Sequence, residues 1–246
     1  MTALVASAGR RRWVFFRRPI EERSAAIGEL IRRAGDDEEA LKAFGKVWSG
    51  LLNEGNSALM MEALHQVRKE RAVGTVPYLI WCFSLKSLPG RSDRLREKVA
   101  QSVVSLGPQA SGHLLRALLA DDPTLASWSA ITLRRIGLGR TARAIVTSLD
   151  SMTPENQQKL LARLAEISTQ SWQDIVKLMG GTISLGKAGD RLVDLLIGSL
   201  GRRRLEKETL RIWRDTGLAH ARIVLETVFE YEGMSLTRDT PEEEGK

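Results

Sequence analysis

Residues 181–187, Gly-Thr-Ile-Ser-Leu-Gly-Lys, have the spacing of a phosphate-binding loop. In such a loop, backbone N–H groups surround the phosphates of a nucleotide and the lysine reaches their far end. However, Ala188 lacks the hydroxyl group that would hold magnesium, and residues 172–179 have helical periodicity. Because a buried strand should precede this loop, we interpret residues 181–187 as a turn between helices and predict no cofactor.

Two further patterns have both a chemical and a structural interpretation. Residues 137–142, Gly-Leu-Gly-Arg-Thr-Ala, imitate a dinucleotide-binding fingerprint but follow no predicted strand, so a helix stop and restart is favoured. Asp121 and Asp122 could form a catalytic carboxylate pair, but Pro123 follows them directly. Aspartate is a preferred N-cap and proline suits the first helical position. Asp122 is therefore predicted to cap a helix.

Metal-binding and nucleophilic residues are scattered along the chain. The three histidines, His65, His113 and His220, have no second ligand at helical or hairpin spacing, so no metal site is predicted. The single cysteine, Cys82, lies between two aromatic residues and is predicted to be a buried, inert thiol. No serine lies in a nucleophile-elbow sequence. We predict no catalytic residues and favour a binding role over an enzyme.

Two basic groups exceed what packing requires. Residues 10–18, Arg-Arg-Arg-Trp-Val-Phe-Phe-Arg-Arg, place arginines on both sides of an aromatic cluster. Such a segment could grip phosphates, dock on an acidic protein or a membrane surface, or cover the end of a helical stack. A second group starts at residue 202 and continues through Lys207, Arg211 and Arg214. The predicted partner-binding residues are Arg10, Arg11, Arg12, Trp13, Phe15, Phe16, Arg17, Arg18, Arg202, Arg203 and Arg204.

The composition favours packed helices. Of 246 residues, 43% are hydrophobic, 27% are charged and only 5% are aromatic, with a net charge of +7. One cysteine excludes an internal disulfide framework. The longest apolar run, residues 76–85, contains a proline and falls short of the roughly 20 residues that span a bilayer. No secretory signal is predicted either, so a cytoplasmic location is expected.

Apolar residues recur at helical spacing along most of the chain, and capping residues separate the periodic segments. The segment 77–85 is apolar on all sides, which predicts a helix covered on both faces. Further helices are predicted to start at residues 154 and 172. The other predicted helices cover residues 19–34, 38–52, 57–71, 93–106, 109–120, 123–136, 142–149, 187–200, 205–213 and 218–231.

These helices repeat with a period close to 30 residues. The pair Leu106-Gly107 is followed by Ile136-Gly137 after 30 residues, and Leu118 is followed by Leu149 after 31. A repeat of two helices is what an α-solenoid requires, because no single pair buries both faces alone. Residues 114–123, with the helix ending in Arg134-Arg135-Ile136-Gly137, resemble HEAT and HEAT-like repeats.

The resemblance is clearest over residues 92–180, although Trp128 and Ser129 stand where such repeats often carry arginine and alanine. It implies an all-α fold, a right-handed α-α superhelix of about five to six helical hairpins that binds macromolecules. The expected organisation is a basic aromatic arm (residues 1–18), a solenoid (19–233) and an acidic C-terminal tail (234–246). The expected function is an interaction scaffold or adaptor. A protein partner is favoured, with nucleic acid as the other partner that the arm could bind.

Two alternatives stay open. The chain is similar in size, basicity and expected solenoid form to the HEAT-like alkylpurine DNA glycosylases. In that case Trp172, Asp174, Trp128 and Arg134 would be the residues to inspect, because aromatic and acidic groups could hold a cationic base. The second alternative is a chromophore lyase of HEAT-repeat type, to which Cys82 and the scattered histidines give no support.

Overall fold

The computed structural model describes residues 19–35, 37–84, 92–169, 172–183 and 185–231, and these residues form an all-α fold without strands. Short 3-10 turns cover Val73–Thr75, Trp81–Ser84 and Gly107–Ala110. The α-helices are α1 (Ile20–Arg33), α2 (Glu38–Glu54), α3 (Ser57–Lys69), α4 (Val76–Ile80), α5 (Ser92–Leu106), α6 (Ser111–Leu118), α7 (Pro123–Ile136), α8 (Leu138–Asp150), α9 (Pro154–Thr169), α10 (Trp172–Ile183), α11 (Lys187–Leu200), α12 (Arg202–Thr216) and α13 (Ala219–Val228).

Capping residues set several of these boundaries. Asp37 Oδ1 accepts hydrogen bonds from the backbone N–H groups of Glu39 (2.8 Å) and Ala40 (3.2 Å) at the start of α2. These bonds satisfy donors that have no partner within the helix. At the other end of α2, Gly55 has φ +67°, a left-handed conformation that glycine adopts without strain. The predicted helix over residues 38–52 is thus confirmed and extends by two residues.

Three predictions about the helices need correction. The described residues contain more helices than five to six hairpins would supply. The helix predicted over residues 142–149 starts earlier, at Leu138, because Gly139 is helical. One helix is predicted over residues 77–85, but the described part of this segment, residues 77–84, belongs to the short α4 and a 3-10 turn. In this segment Cys82 and Phe83 are buried, but Trp81 is 48% exposed and Pro77 is also exposed.

The chain forms two compact units, Met1–Thr132 and Leu133–Lys246. In the first unit α1 contacts α3, and α3 contacts α5, while α2 contacts α4, and α4 contacts α6. Helices two apart in sequence are therefore neighbours, in two interleaved rows that also touch each other through α1 and α2. Large apolar side chains fill this unit, among them Trp48, Phe44 and Leu51, and they are almost completely buried.

The second unit is centred on α10. This helix contacts α8, α9, α11, α12 and α13, and α9 also contacts α11. Near the N-terminal end of α10, Val176 packs in one cluster with Ile212 of α12 and Ala221 of α13. Burying a valine or isoleucine side chain stabilises a fold by about 1.5–3 kcal/mol. Helix α12 therefore packs on α10, and it also contacts α11 and α13.

Glycines allow α10 to approach its neighbours closely. A Cβ atom on Gly181 would lie 2.6 Å from the carbonyl oxygen of Gly139 in α8, and one on Gly189 of α11 would lie 2.0 Å from the carbonyl oxygen of Thr182. On another side, a Cβ on Gly180 would lie 2.9 Å from the Cβ of His220 in α13. These distances are too short for real Cβ contacts. Close helix packing therefore depends on glycine at these positions.

None of the described helices combines the length and the apolar character needed to cross a membrane.

Candidate binding surface

The structure accounts for the motifs that resemble nucleotide-binding loops. Residues 181–183 belong to α10, so the residues that should open a phosphate-binding loop are helical instead. Gly181 packs against Gly139 rather than facing an open loop. At the other motif, α7 ends at Ile136, Gly137 has φ +99° and α8 starts at Leu138. The predicted helix stop and restart is confirmed there, whereas the predicted turn over residues 181–187 begins later, after α10.

Asp122 is an N-cap. Its Oδ1 atom accepts hydrogen bonds from the backbone N–H groups of Thr124 (2.8 Å) and Leu125 (3.1 Å) at the start of α7. Each such cap stabilises a helix by about 0.5–2 kcal/mol. The carboxylate of Asp122 is thus committed to the helix start, as its place before Pro123 predicts.

The described residues contain no group of three or more histidine, cysteine, aspartate or glutamate side chains that could hold a metal ion. Cys82 is only 2% exposed, and burial raises the pKa of its thiol to about 12. A thiol with this pKa stays protonated at neutral pH and is a poor nucleophile. The predicted burial of Cys82 is confirmed.

This pKa leads to a testable pH dependence. In the unfolded chain the thiol ionises near its ordinary pKa of 9.0, whereas the folded chain keeps it protonated to about pH 12. The stabilisation is therefore complete below pH 9 and is lost as pH rises towards 12. Between pH 8 and 10.5 we expect the free energy of unfolding to fall by about 1–2 kcal/mol more in the wild type than in a Cys82→Ala variant. Urea unfolding of both proteins at both pH values measures this difference. Equal decreases in the free energy of unfolding for the wild type and the variant would contradict the prediction.

The residues named for a glycosylase-like site are engaged in contacts within their own units. Arg134 Nε lies 3.4 Å from Asp174 Oδ2, so a cation already faces this carboxylate. The guanidinium of Arg204 lies over the Trp172 ring, 4.9 Å from its centre. Trp128, in the first unit, stacks on Phe83 with ring centres 5.8 Å apart. The structure thus joins Arg134 to Asp174 and supplies a partner for each tryptophan.

The predicted basic arm, residues 10–18, lies outside the described residues. The second predicted group, Arg202, Arg203 and Arg204, forms the first turn of α12 and is exposed. This turn contains no acidic residue and no side-chain cap. Cations near a helix N-terminus are disfavoured by the helix dipole, by about 0.3–1 kcal/mol each. Helix stability therefore does not explain the three arginines.

The first and third of these arginines contact other parts of the second unit. Arg202 Nη2 donates a hydrogen bond to the carbonyl oxygen of Val228 at 3.1 Å, and its guanidinium lies 5.5 Å from the centre of the Phe229 ring. Arg204 stacks on Trp172 as described above. Such cation–π contacts contribute about 0.5–1 kcal/mol at exposed sites. Both arginines therefore attach α12 to its neighbours.

The middle arginine belongs to a different surface. Leu205, Thr209 and Ile212 form the buried side of α12. On the opposite side lies a line of exposed cations at spacings of three and four residues, which share one helical face. We call this line the α12 stripe. Its members are Arg203, Lys207, Arg211 and Arg214.

Most of the α12 stripe is unpaired within the unit. Arg211 forms an ion pair with Glu208 at 2.7 Å. No hydrogen bond or ion pair joins Arg203, Lys207 or Arg214 to any other residue of the described ranges. The stripe runs for about 16 Å along the helix, at 1.5 Å per residue. It is a linear positive surface that could bind a row of carboxylates or phosphates.

Sequence reasoning grouped these cations by proximity but did not separate the stripe from the attached arginines. The helical spacing of residues 203, 207, 211 and 214 is a signal in the sequence that would have identified the exposed face. Sequence reasoning also missed Tyr231. Its hydroxyl donates a hydrogen bond to Glu206 Oε1 at 3.0 Å, on one flank of α12. This hydrogen bond, together with partial burial, raises the pKa of Tyr231.

No family model, curated protein or solved structure matches this chain in the three comparisons made with it.

Proposed function

We propose that the chain is a non-catalytic interaction scaffold whose α12 stripe binds an acidic macromolecular partner. The observation that carries the proposal is the contrast between neighbouring cations on one helix. Arg202 and Arg204 are engaged in packing, whereas Arg203, Lys207 and Arg214 are exposed and form no hydrogen bond or ion pair with the described residues. Fixed cations without internal partners attract acidic groups of another molecule.

The proposal includes a HEAT-like, right-handed solenoid as the finer fold. Contacts between helices two apart, such as α2 with α4 in the first unit and α8 with α10 in the second, support it. In solenoids each repeat packs mainly on its neighbours, and the resulting surface is used for binding. A rigid helix such as α12 then holds its cations at fixed spacing, which lowers the entropy lost on binding.

An acidic protein is the first candidate partner, and a nucleic acid is the second. The second is favoured by the partly exposed Trp172 ring beside Arg204. Proteins that bind single strands combine positive grooves with aromatic rings on which bases stack. Both candidates use the α12 stripe, so the same variants test them.

Removing the stripe charges is expected to weaken binding of acidic probes. We would compare the full chain with a stripe variant, Arg203→Gln/Lys207→Gln/Arg214→Gln. The probes are a 15-residue glutamate peptide, a random 15-base-pair DNA duplex and a single-stranded oligothymidine. We expect the stripe variant to bind the preferred probe about tenfold or more weakly, and to show a shallower salt dependence because fewer counterions are released.

A second variant with the same charge change, Lys46→Gln/Arg68→Gln/Lys69→Gln, serves as the control because these residues are exposed on α2 and α3 of the first unit. It should lose about threefold or less, since surface charges that do not contact the probe are largely screened by salt. Tighter binding of the glutamate peptide would support a protein partner. Tighter binding of either DNA probe would support a nucleic acid. Equal losses in both variants, or no binding of any probe either by the full chain or by a chain with Glu242, Glu243 and Glu244 replaced by glutamine, would overturn the proposed function.

A further inference from the structure

We infer that the chain carries its own competitor for the α12 stripe, namely the acidic residues Glu242, Glu243 and Glu244 of the C-terminal tail. This inference rests on the proposed function of the stripe and adds its regulation. The tail would bind the stripe within the molecule, and an external acidic partner would have to displace it. Three observations support this assignment: where the described chain ends, which charges follow and how far they reach.

The described part of the chain ends beside α12. Tyr231, its last residue, donates the hydrogen bond to Glu206. Just before it, Val228 accepts the hydrogen bond from Arg202, and the Phe229 ring lies against the same arginine. Three successive contacts thus hold residues 228–231 along the first turns of α12. The described chain therefore ends beside Glu206, which directly precedes Lys207 of the stripe.

The charges of the tail complement those of the stripe. Residues 234–246 contain four acidic residues, Asp239 and the three consecutive glutamates, against two basic residues. The stripe has four cations, of which only Arg211 has an acidic partner among the described residues. Opposite charges a few ångströms apart attract each other weakly in water and more strongly at a protein surface. Several such pairs together would give a weak but specific attraction.

The tail is long enough to reach the whole stripe. Residue 242 follows residue 231 by eleven positions, and an extended chain spans at most about 3.3–3.6 Å per residue, or roughly 36–40 Å. The stripe itself is about 16 Å long. A short tether raises the effective concentration of the linked group to about the millimolar range. Contacts too weak to persist between separate molecules can therefore be populated within one chain.

Tail occupancy can be measured without any external partner. A nitroxide attached to a Gly245→Cys variant broadens NMR signals of nearby amide groups, and Cys82 will not react because it is buried. We expect broadening along α12, weaker at high salt, and absent when Arg203→Gln/Lys207→Gln/Arg214→Gln is introduced into the labelled chain. Broadening spread evenly over the surface, or unchanged by the stripe substitutions, would overturn the inference.

Competition with a partner is tested with the same acidic probes. We expect Glu242→Gln/Glu243→Gln/Glu244→Gln to bind the preferred probe about three- to tenfold more tightly than the wild type, because no tail has to be displaced. The control, Glu39→Gln/Glu70→Gln/Glu155→Gln, changes the net charge equally at exposed sites elsewhere. Competition by the tail would be contradicted if both variants gained affinity equally. It would also be contradicted if the tail substitutions still raised the affinity when combined with the stripe substitutions.

The two proposals fail in different ways. If the probes bind through the stripe but the nitroxide broadens nothing on α12, the tail inference is wrong and the proposed function stands. If the nitroxide broadens α12 but no probe binds even after the glutamates are neutralised, the proposed function is wrong, and the stripe serves the tail alone.

Discussion

Replacing Trp48 with alanine is expected to lower the free energy of unfolding of the first unit by about 3–5 kcal/mol. The Trp48 side chain is fully buried, at 0% exposure, and stacks on Phe44 with ring centres 6.3 Å apart. Phe44 in turn meets the Tyr78 ring edge-on at 6.4 Å. Truncation would leave a cavity beside the Phe44 ring. Urea unfolding followed by circular dichroism and fluorescence measures the loss.

Two further variants make this prediction specific. Trp81→Ala removes the same side chain from a site that is 48% exposed, so its cost should be far smaller. Trp48→Phe should also cost less than Trp48→Ala, because it keeps most of the ring volume. It additionally removes an indole Nε1 that is buried without a hydrogen-bond partner among the described residues. If Trp48→Ala cost no more than Trp81→Ala, the aromatic group would not be the core of this unit.

Replacing Gly189 with alanine is expected to destabilise the second unit by about 3 kcal/mol or more. The new Cβ atom would lie 2.0 Å from the carbonyl oxygen of Thr182, which belongs to the backbone of α10 and cannot rotate away. Helix α11 would have to move off α10 as a whole. Urea unfolding, followed by circular dichroism, gives the change in the free energy of unfolding.

The same helix provides the matched control. Gly198 is exposed on α11, and a Cβ atom there meets nothing within 4 Å. Gly198→Ala should stabilise the chain by up to about 1 kcal/mol, because alanine has the higher helix propensity. If Gly198→Ala raises the free energy of unfolding and Gly189→Ala lowers it, close packing rather than helix propensity determines the effect at Gly189. A stabilising Gly189→Ala would contradict the close approach of α10 and α11.

Helix boundaries were predictable where a single residue type determines them. Helix α11 covers Lys187–Leu200 as predicted, because Gly186 and Gly201 flank it with positive φ angles. The start of α8 was not predictable from the sequence alone. In the sequence Gly139 resembles a helix breaker, but in the structure it lies within a helix and packs against the backbone of Lys177. A Cβ atom on Gly139 would lie 2.7 Å from the Lys177 carbonyl oxygen. Only the position of α10 distinguishes these two roles.

The candidate surface was predictable in composition but not in detail. Three consecutive arginines at residues 202–204 are visible in the sequence, and helical spacing relates Arg203 to Lys207. That Arg202 and Arg204 are engaged depends on Val228 and Trp172, which are distant in sequence and come close only through packing around α10. Local patterns predict which face of a helix is exposed, but not which exposed cations have partners.

The glycine contacts around α10 also bear on how this chain can diverge in evolution. Most core positions tolerate exchange among apolar residues of similar volume, so the apolar pattern of the helices can drift while the fold persists. Gly139, Gly180, Gly181 and Gly189 have no such freedom, since backbone or Cβ atoms lie where any larger residue would place its Cβ. Distant relatives of the second unit would then be recognised by the spacing of these small residues, even after their leucines and valines had changed.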